Sequence, residues 1–551
     1  MSIDDHPLTE PVLSALRPPP TGRHLAAATR ELIDGLAAHP WGQASPSVYE
    51  TGRLVTFVPW LSGHAERVAF LLARQRPDGV WGAPDDGYAL VPTLSAAEAL
   101  LSVLIAPAGA HSDDAVVAHA VARALAAVSA RMCGPSAPAL DLPDLPAIEL
   151  IVPALVAQIN ESLEKLRERP VPGLEVWAGH RLSPPAGLDP AKLGLVRSLL
   201  ASGADVPQKL VHALEIAGHA PVGLPQLRPE QTGTIGASPA ATAAWLGSDP
   251  AAPSSPARWY LETVVAEHGG PVPCGFPLTV FERGWVLAWL ARAGVRFSVP
   301  PELVLSLTAP LGPLGTPAAD GLPADADTTS GALYALALLG APHPPDALHA
   351  YELDTHFCTW QGEDGASITT NAHVLEAFGQ YLTVHSDGLD DVDAARYRTS
   401  ARKATGWLRE QQGLDGSWRD RWHASPFYAT ACAAIALAGF GGPESGGAVA
   451  AARRWVLETQ RKDGSWGHWE GTAEETAYAV QLLLLTGDTA EPRTLRAVRR
   501  GCPHLLRALA EPDDDAEPPM WHDKDLYRPS AIVRAAIISA LALAEDAADF
   551  R

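Results

Sequence analysis

The chain has 551 residues, 47% of them hydrophobic and 19% charged, which is ample material for large cores and excludes wholesale disorder. At about 150 residues per domain, this length suggests two to four domains. The formal net charge of -22 repels phosphate backbones, so nucleic acid is not an expected partner, and an anionic substrate needs a local basic cluster or a metal to offset the global field.

The first segment, Met1 to Pro11, is acidic and polar, with neither a basic n-region nor an apolar h-region, so no signal peptide is expected. Farther on, apolar residues recur at helical spacing and nearly all round the helix in Ala96 to Leu104, Gly331 to Leu339 and Ala429 to Leu437. Such helices are packed on both sides. Alternating β-branched segments are scarce, and the predicted class is all-α. Fifty prolines and 47 glycines punctuate the helices. The stretches Pro135 to Pro146 and Leu311 to Pro323 are predicted as loops. No uncharged apolar run reaches about 18 residues, so no transmembrane helix is predicted; Arg534 interrupts the longest late stretch. The five cysteines, Cys133, Cys274, Cys358, Cys432 and Cys502, form no CxxC pair. Their odd number and wide scatter predict reduced thiols in a cytoplasmic protein.

A short pattern, QxxxGxW, recurs at Gln75–Trp81, Gln412–Trp418 and Gln460–Trp466, and a degenerate copy, Gln361–Ser367, lacks the tryptophan. Each Asp-Gly pair inside it predicts a turn with positive φ at glycine. The glutamine is expected to cap a neighbouring backbone or bond the indole, and the tryptophan to cover a barrel rim. The spacing of the last two full copies leaves room for two helices and their turns, so each unit is predicted to be a helical hairpin.

With these repeats in view, the chain resembles the class II terpene cyclases, the family that includes squalene–hopene cyclases and copalyl-type diterpene cyclases. The repeats resemble that family's QW motifs. Further similar segments are Ser47-Val-Tyr49-Glu-Thr51, Tyr88-Ala-Leu-Val-Pro92, Ser238-Pro-Ala-Ala-Thr-Ala243, Phe281-Glu282-Arg-Gly-Trp285, Asn371-Ala-His373 and Trp422-His-Ala-Ser425-Pro-Phe-Tyr428. The resemblance implies two (α/α) barrels in a βγ arrangement: a β domain of residues 1–45 plus 295–551, and an inserted γ domain of residues 46–294 closed by the Phe281–Trp285 helix.

Asp325-Ala326-Asp327-Thr328-Thr329 precedes the apolar run from Gly331. By themselves these are good helix-start residues. In the family frame they resemble the DxDD motif, whose middle aspartate protonates an alkene, and that position is Asp327. An alkene is a very weak base, so the acid must be an undissociated carboxyl held in an apolar cavity. Asp325 would raise or orient that proton, and the hydroxyls of Thr328 and Thr329 would bond the pair. Thr328 stands where the third aspartate is expected. This DxDTT form resembles bacterial drimenyl diphosphate synthases, which implies the C15 substrate farnesyl diphosphate; a C20 cyclase making a copalyl- or halimadienyl-type diphosphate is the alternative.

The same resemblance implies magnesium at a retained diphosphate, with Glu149 and Asp144 as ligands and Asp141 nearby. It places Lys524, in the WxxKxLYR-like segment Trp521–Arg528, on the diphosphate, with Arg228 and Arg421 as weaker basic candidates. Trp285, Trp360, Trp422, Phe427 and Tyr428 are the candidates for a cation-stabilising wall, each equally readable as a core aromatic. His373 with Asn371 is a candidate holder for a water that takes the final proton. The acidic clusters Asp390–Asp393 and Asp513–Glu517 do not fit the DDxxD motif of diphosphate-ionising cyclases and read as solvated loops. A squalene cyclase leaves Glu149 and Lys524 without purpose. A protein prenyltransferase would need a zinc site for which no convincing ligand spacing is found. A helical-repeat scaffold explains the hairpins but not the acid, the lysine and the glutamate together.

Overall fold

The computed structural model describes residues 22–106, 114–132, 141–385, 388–487, 491–512 and 517–549. The segment read for a signal peptide, Cys133, the first half of the Pro135–Pro146 loop and Asp513 to Ala516 lie outside these residues. Among the described residues there are twenty α-helices and one two-stranded ribbon, Trp521–His522 against Leu526–Tyr527.

The three full repeats fold alike. Gly79, Gly416 and Gly464 take φ of 90°, 93° and 97°, a region costly for any residue with a Cβ. A Cβ there would also come within 2.9, 2.7 and 2.4 Å of the carbonyls of Arg123, Ala451 and Arg500 on a following helix. Gln75, Gln412 and Gln460 each donate to two backbone carbonyls, one across the turn and one on that following helix. The indoles differ from the rim-covering role expected of them. Trp81, Trp418 and Trp466 are at most 1% exposed, and each indole N–H donates to a carbonyl ten residues back, Leu71, Leu408 and Val456. The tryptophan is thus the core of its hairpin, with glutamine and glycine joining one hairpin to the next.

The largest hydrophobic cluster joins Leu25, Leu32, Ile33 and Leu36 of the Gly22–Ala38 helix to residues from Val280 to Leu541. A second cluster is built from Tyr49 to Ala240. The Thr279–Arg292 helix packs in the larger cluster through Trp285, Val286, Trp289 and Leu290. It therefore belongs to the core that the sequence-drawn boundary at 294/295 leaves it outside. Two helices, Gly87–Ile105 and Asp114–Met132, are long and apolar enough to cross a membrane by composition, although Glu98 interrupts the first. The first is 72% buried inside the protein, which accounts for its composition as core. Cys274, Cys358, Cys432 and Cys502 are free thiols.

Candidate active site

A cavity of about 730 Å³ opens between the two clusters, within the roughly 300–1,000 Å³ range of small-molecule sites. Asp325 and Asp327 enter it from the start of the Ala326–Leu338 helix, and they divide the work. Asp325 is the N-cap: its Oδ1 accepts from Thr328 N–H at 2.6 Å, and its backbone is extended. It is 4% exposed, and burial, with the neighbouring Asp327 charge, pushes its carboxyl up to about 8. Thr328 meets this carboxyl through its backbone N–H. Thr329 instead binds the Thr316 backbone, accepting from its N–H at 2.9 Å, and so is not part of the acid pair.

Asp327 lies one residue inside the helix and lines the cavity. Its Oδ1 pairs with His373 Nδ1 at 2.9 Å. His373 projects from the Ile368–Val384 helix, and its ring meets Trp285 edge-on, centroids 4.9 Å apart. Burial opposes the imidazolium, but the Asp327 carboxylate outweighs it and raises His373 well above the usual histidine value. His373 is thereby a donor to the acid through Nδ1. Asn371 is not a water holder. It is fully buried, donates to the Phe357 and Ser367 carbonyls, and accepts from Phe357 N–H, each at 2.9 Å.

A second part of the wall is charged. Asp144 and Glu149, the latter in the first turn of the Ile148–Lys165 helix, line the cavity with Lys192, Lys209 and Arg421. Arg421 reaches Asp144 at 2.8 Å and Glu363 at 3.4 Å, with its guanidinium 5.4 Å above Trp422. Its backbone is held by His522, whose Nδ1–H donates to the Arg421 carbonyl at 2.6 Å while Nε2 accepts from Tyr88 Oη at 3.0 Å. Burial pushes His522 down to about 3, so the ring is neutral in this role. Lys209 lies 5.2 Å above Trp360, and burial lowers its pKa from the usual lysine value. This basic group supplies the local counter-charge that an acidic chain needs for an anionic ligand.

The geometry is that of a carboxylic acid in an aromatic pocket whose charged end sets Lys192, Lys209 and Arg421 among Asp144, Glu149, Glu363 and Asp364. The Squalene-hopene cyclase C-terminal domain family matches residues 364–517. The chain is 43% identical over 528 residues to the Ent-copalyl diphosphate synthase of Streptomyces sp. (strain KO-3988), covering 95% of this chain and 97% of that protein. It is 41% identical to the Labda-7,13-dienyl diphosphate synthase of Streptomyces clavuligerus, over 96% of this chain and 95% of that protein. The solved ent-Copalyl diphosphate synthase from Streptomyces platensis superposes with a TM-score of 0.87 at 44% identity, over 95% of this chain and 99% of that one. The chain belongs to the class II terpene cyclases.

In this cyclase Lys524 does not reach the cavity wall. It is fully buried, and its ammonium donates to Glu50, Glu215, Ser238 Oγ and the His212 carbonyl at 2.5, 2.9, 2.7 and 3.0 Å. Glu215 also accepts from Tyr49 Oη at 2.7 Å. The Ser47–Thr51, Ser238–Ala243 and Trp521–Arg528 segments, whose likeness to the family was visible in sequence, thus converge on one interior clasp. Arg228 is exposed and not among the residues lining the cavity. It has no place in a diphosphate grip.

Of the expected aromatic wall, Trp360, Trp422 and Tyr428 line the cavity, the two indoles packed edge-to-face at 5.1 Å. Trp285 sits behind, donating its N–H to Tyr428 Oη at 2.9 Å. Phe427 lies outside the wall, packed on Trp455 at 4.6 Å. Phe281, Trp521 and Tyr527 line the cavity but were not singled out. All three lie inside the family-like segments Phe281–Trp285 and Trp521–Arg528. Lys192 and Lys209 had no such signal, since their stretch carries no motif.

Proposed function

We propose that this cyclase converts geranylgeranyl diphosphate into a bicyclic copalyl- or labdadienyl-type diphosphate, with Asp327 as proton donor and the diphosphate retained. The observation that carries the mechanism is the Asp327 carboxyl, paired with His373, in a cavity whose rim carries Lys192, Lys209 and Arg421. The C20 substrate takes the place of the farnesyl diphosphate suggested by Thr328, because relatives above 40% identity along nearly the whole chain are copalyl and labdadienyl diphosphate synthases. Thr328 bonds the capping Asp325 and measures nothing of chain length.

Protonated on the oxygen that His373 does not hold, Asp327 transfers that proton to one carbon of the terminal double bond, leaving a tertiary cation at the other. Two successive double bonds attack in turn, forming two carbon–carbon bonds, and loss of a proton from the final cation restores neutrality. His373 steadies the carboxylate left on Asp327. Trp360, Trp422 and Tyr428 present aromatic faces to the cation. Packing around the substrate keeps water from capturing it.

Magnesium binds through one or two carboxylates plus phosphate oxygens and water. Asp144, which pairs with Arg421 at 2.8 Å, and Glu149 both line the cavity and are the two carboxylates that would hold it. Such an ion would supply counter-charge to the diphosphate. Lys209 and Arg421 bind and orient the same group.

Pure protein incubated with magnesium and, separately, geranylgeranyl and farnesyl diphosphate tests the substrate. After dephosphorylation, mass spectrometry is expected to find a bicyclic C20 alcohol. A bicyclic C15 alcohol, with the C20 substrate untouched, would restore the drimenyl reading.

A further inference from the structure

Three donors converge on one buried carboxylate behind the cavity wall. Glu474, near the start of the Ala473–Leu485 helix, is 1% exposed. Its Oε1 accepts from Trp521 Nε1 at 2.7 Å, Tyr478 Oη at 2.8 Å and His423 Nε2 at 3.1 Å. The histidine's protonation is settled on its other side, where Nδ1 accepts from Ser425 N–H at 3.0 Å. A ring nitrogen that accepts a hydrogen bond carries no proton, so His423 is the neutral Nε2–H tautomer. All three partners are therefore neutral. Arg528, whose charge also reaches Glu474, is itself paired with Glu517 at 3.1 Å.

A neutral acceptor would also accept from these three donors, though more weakly; the charge adds a field that reaches beyond them. Trp521 lines the same cavity as Asp327. Its ring packs against Tyr428 and Phe281, also on the wall, with centroids 4.7 and 5.6 Å apart. An N–H bonded to a carboxylate is strongly polarised, which enriches the indole π face in electron density. A charge buried in a poorly polarisable interior also acts over several ångströms with little screening.

We propose that Glu474 is an electrostatic support for the carbocation: a buried carboxylate with three neutral hydrogen-bond donors that acts through the indole of Trp521 on positive charge developing in the cavity, without touching the substrate. It is a positioning residue, and the proposal rests on the prenyl diphosphate substrate proposed above.

The test compares binding of two geranylgeranyl diphosphate analogues to the full-length protein by calorimetry. One carries an ammonium nitrogen near its hydrocarbon end, and the other is its uncharged carbon isostere. Glu474→Gln keeps an oxygen for the donors and removes the charge. It is expected to cut the preference for the ammonium analogue about tenfold, to leave the affinity for the isostere unchanged, and to lower kcat with KM constant. Trp521→Phe keeps the carboxylate and removes the indole donor; it is expected to cut the same preference about threefold, and it carries the test if Glu474→Gln does not fold. An unchanged preference in a folded Glu474→Gln protein overturns the proposal, and an unchanged preference in Trp521→Phe overturns the route through the indole. A wild-type protein that binds neither analogue overturns the substrate assignment instead.

Discussion

Asp327→Asn is expected to lower cyclisation about 10³-fold or more while leaving the protein folded. The structure separates the two aspartates in a way that makes this a sharp expectation. The helix cap is Asp325, which accepts from Thr328 N–H, so losing the charge of Asp327 removes no capping bond. Asparagine at 327 keeps an oxygen for the His373 Nδ1–H seen at 2.9 Å but has no acidic proton to give. Circular dichroism and the thermal midpoint are therefore expected to match the wild type, with kcat carrying the loss and KM nearly constant. Asp325→Asn serves as the counterpart: asparagine caps helices well, and activity is expected to survive better than in Asp327→Asn. A folded Asp327→Asn protein with more than a small residue of activity, or a greater loss from Asp325→Asn, would place the acid elsewhere.

Lys524→Ala is expected to cost about 3–5 kcal/mol of stability, because it strips the counter-charge from buried carboxylates. Glu50 and Glu215 flank the ammonium at 2.5 and 2.9 Å, and all three side chains are at most 1% exposed. Their attraction, outweighing burial, raises the lysine above its usual value, so it stays charged. Denaturant unfolding should show the lowered midpoint, and the fraction that folds should bind substrate with a near-normal KM. A direct diphosphate contact predicts the reverse, with normal stability and a raised KM. The same assay applied to Arg421→Ala, on the cavity wall beside Asp144, is the natural comparison.

The two aspartates and the lysine show what could be read from the chain alone. The QxxxGxW turns were legible because the residues that make them, a positive-φ glycine, a glutamine and an indole, lie within seven positions, whereas the carbonyls bonded by the glutamine on the next helix and by the indole lie outside that span. The helix start at Asp325 was legible for the same reason, since a cap is a local bond. What needed three dimensions was anything decided by which segments meet. Lys524 keeps its family spacing, but its acceptors come from residues 50, 212, 215 and 238, and no spacing rule predicts four acceptors so distant. His373 and Asn371 sit two residues apart, and a helix sends their side chains to different neighbours, one to Asp327 and the other to Phe357. Lys209 enters the site from a short helix with no motif. The boundary at 294/295 followed the end of a helix, whereas packing assigns that helix to the larger core. Substrate length is not legible in one side chain, Thr328, because the cavity that sets it is built by many segments.

In the proposed reaction a proton from the protein starts the cyclisation and the diphosphate stays on the product. Incubating the enzyme with geranylgeranyl diphosphate in D₂O, after exchanging its acidic protons, tests both halves at once by mass spectrometry and phosphorus NMR. The expected product is a bicyclic diphosphate ester with one solvent deuterium on a carbon of the former terminal double bond, and no inorganic pyrophosphate. Release of pyrophosphate, or a cyclic product without deuterium, would contradict it.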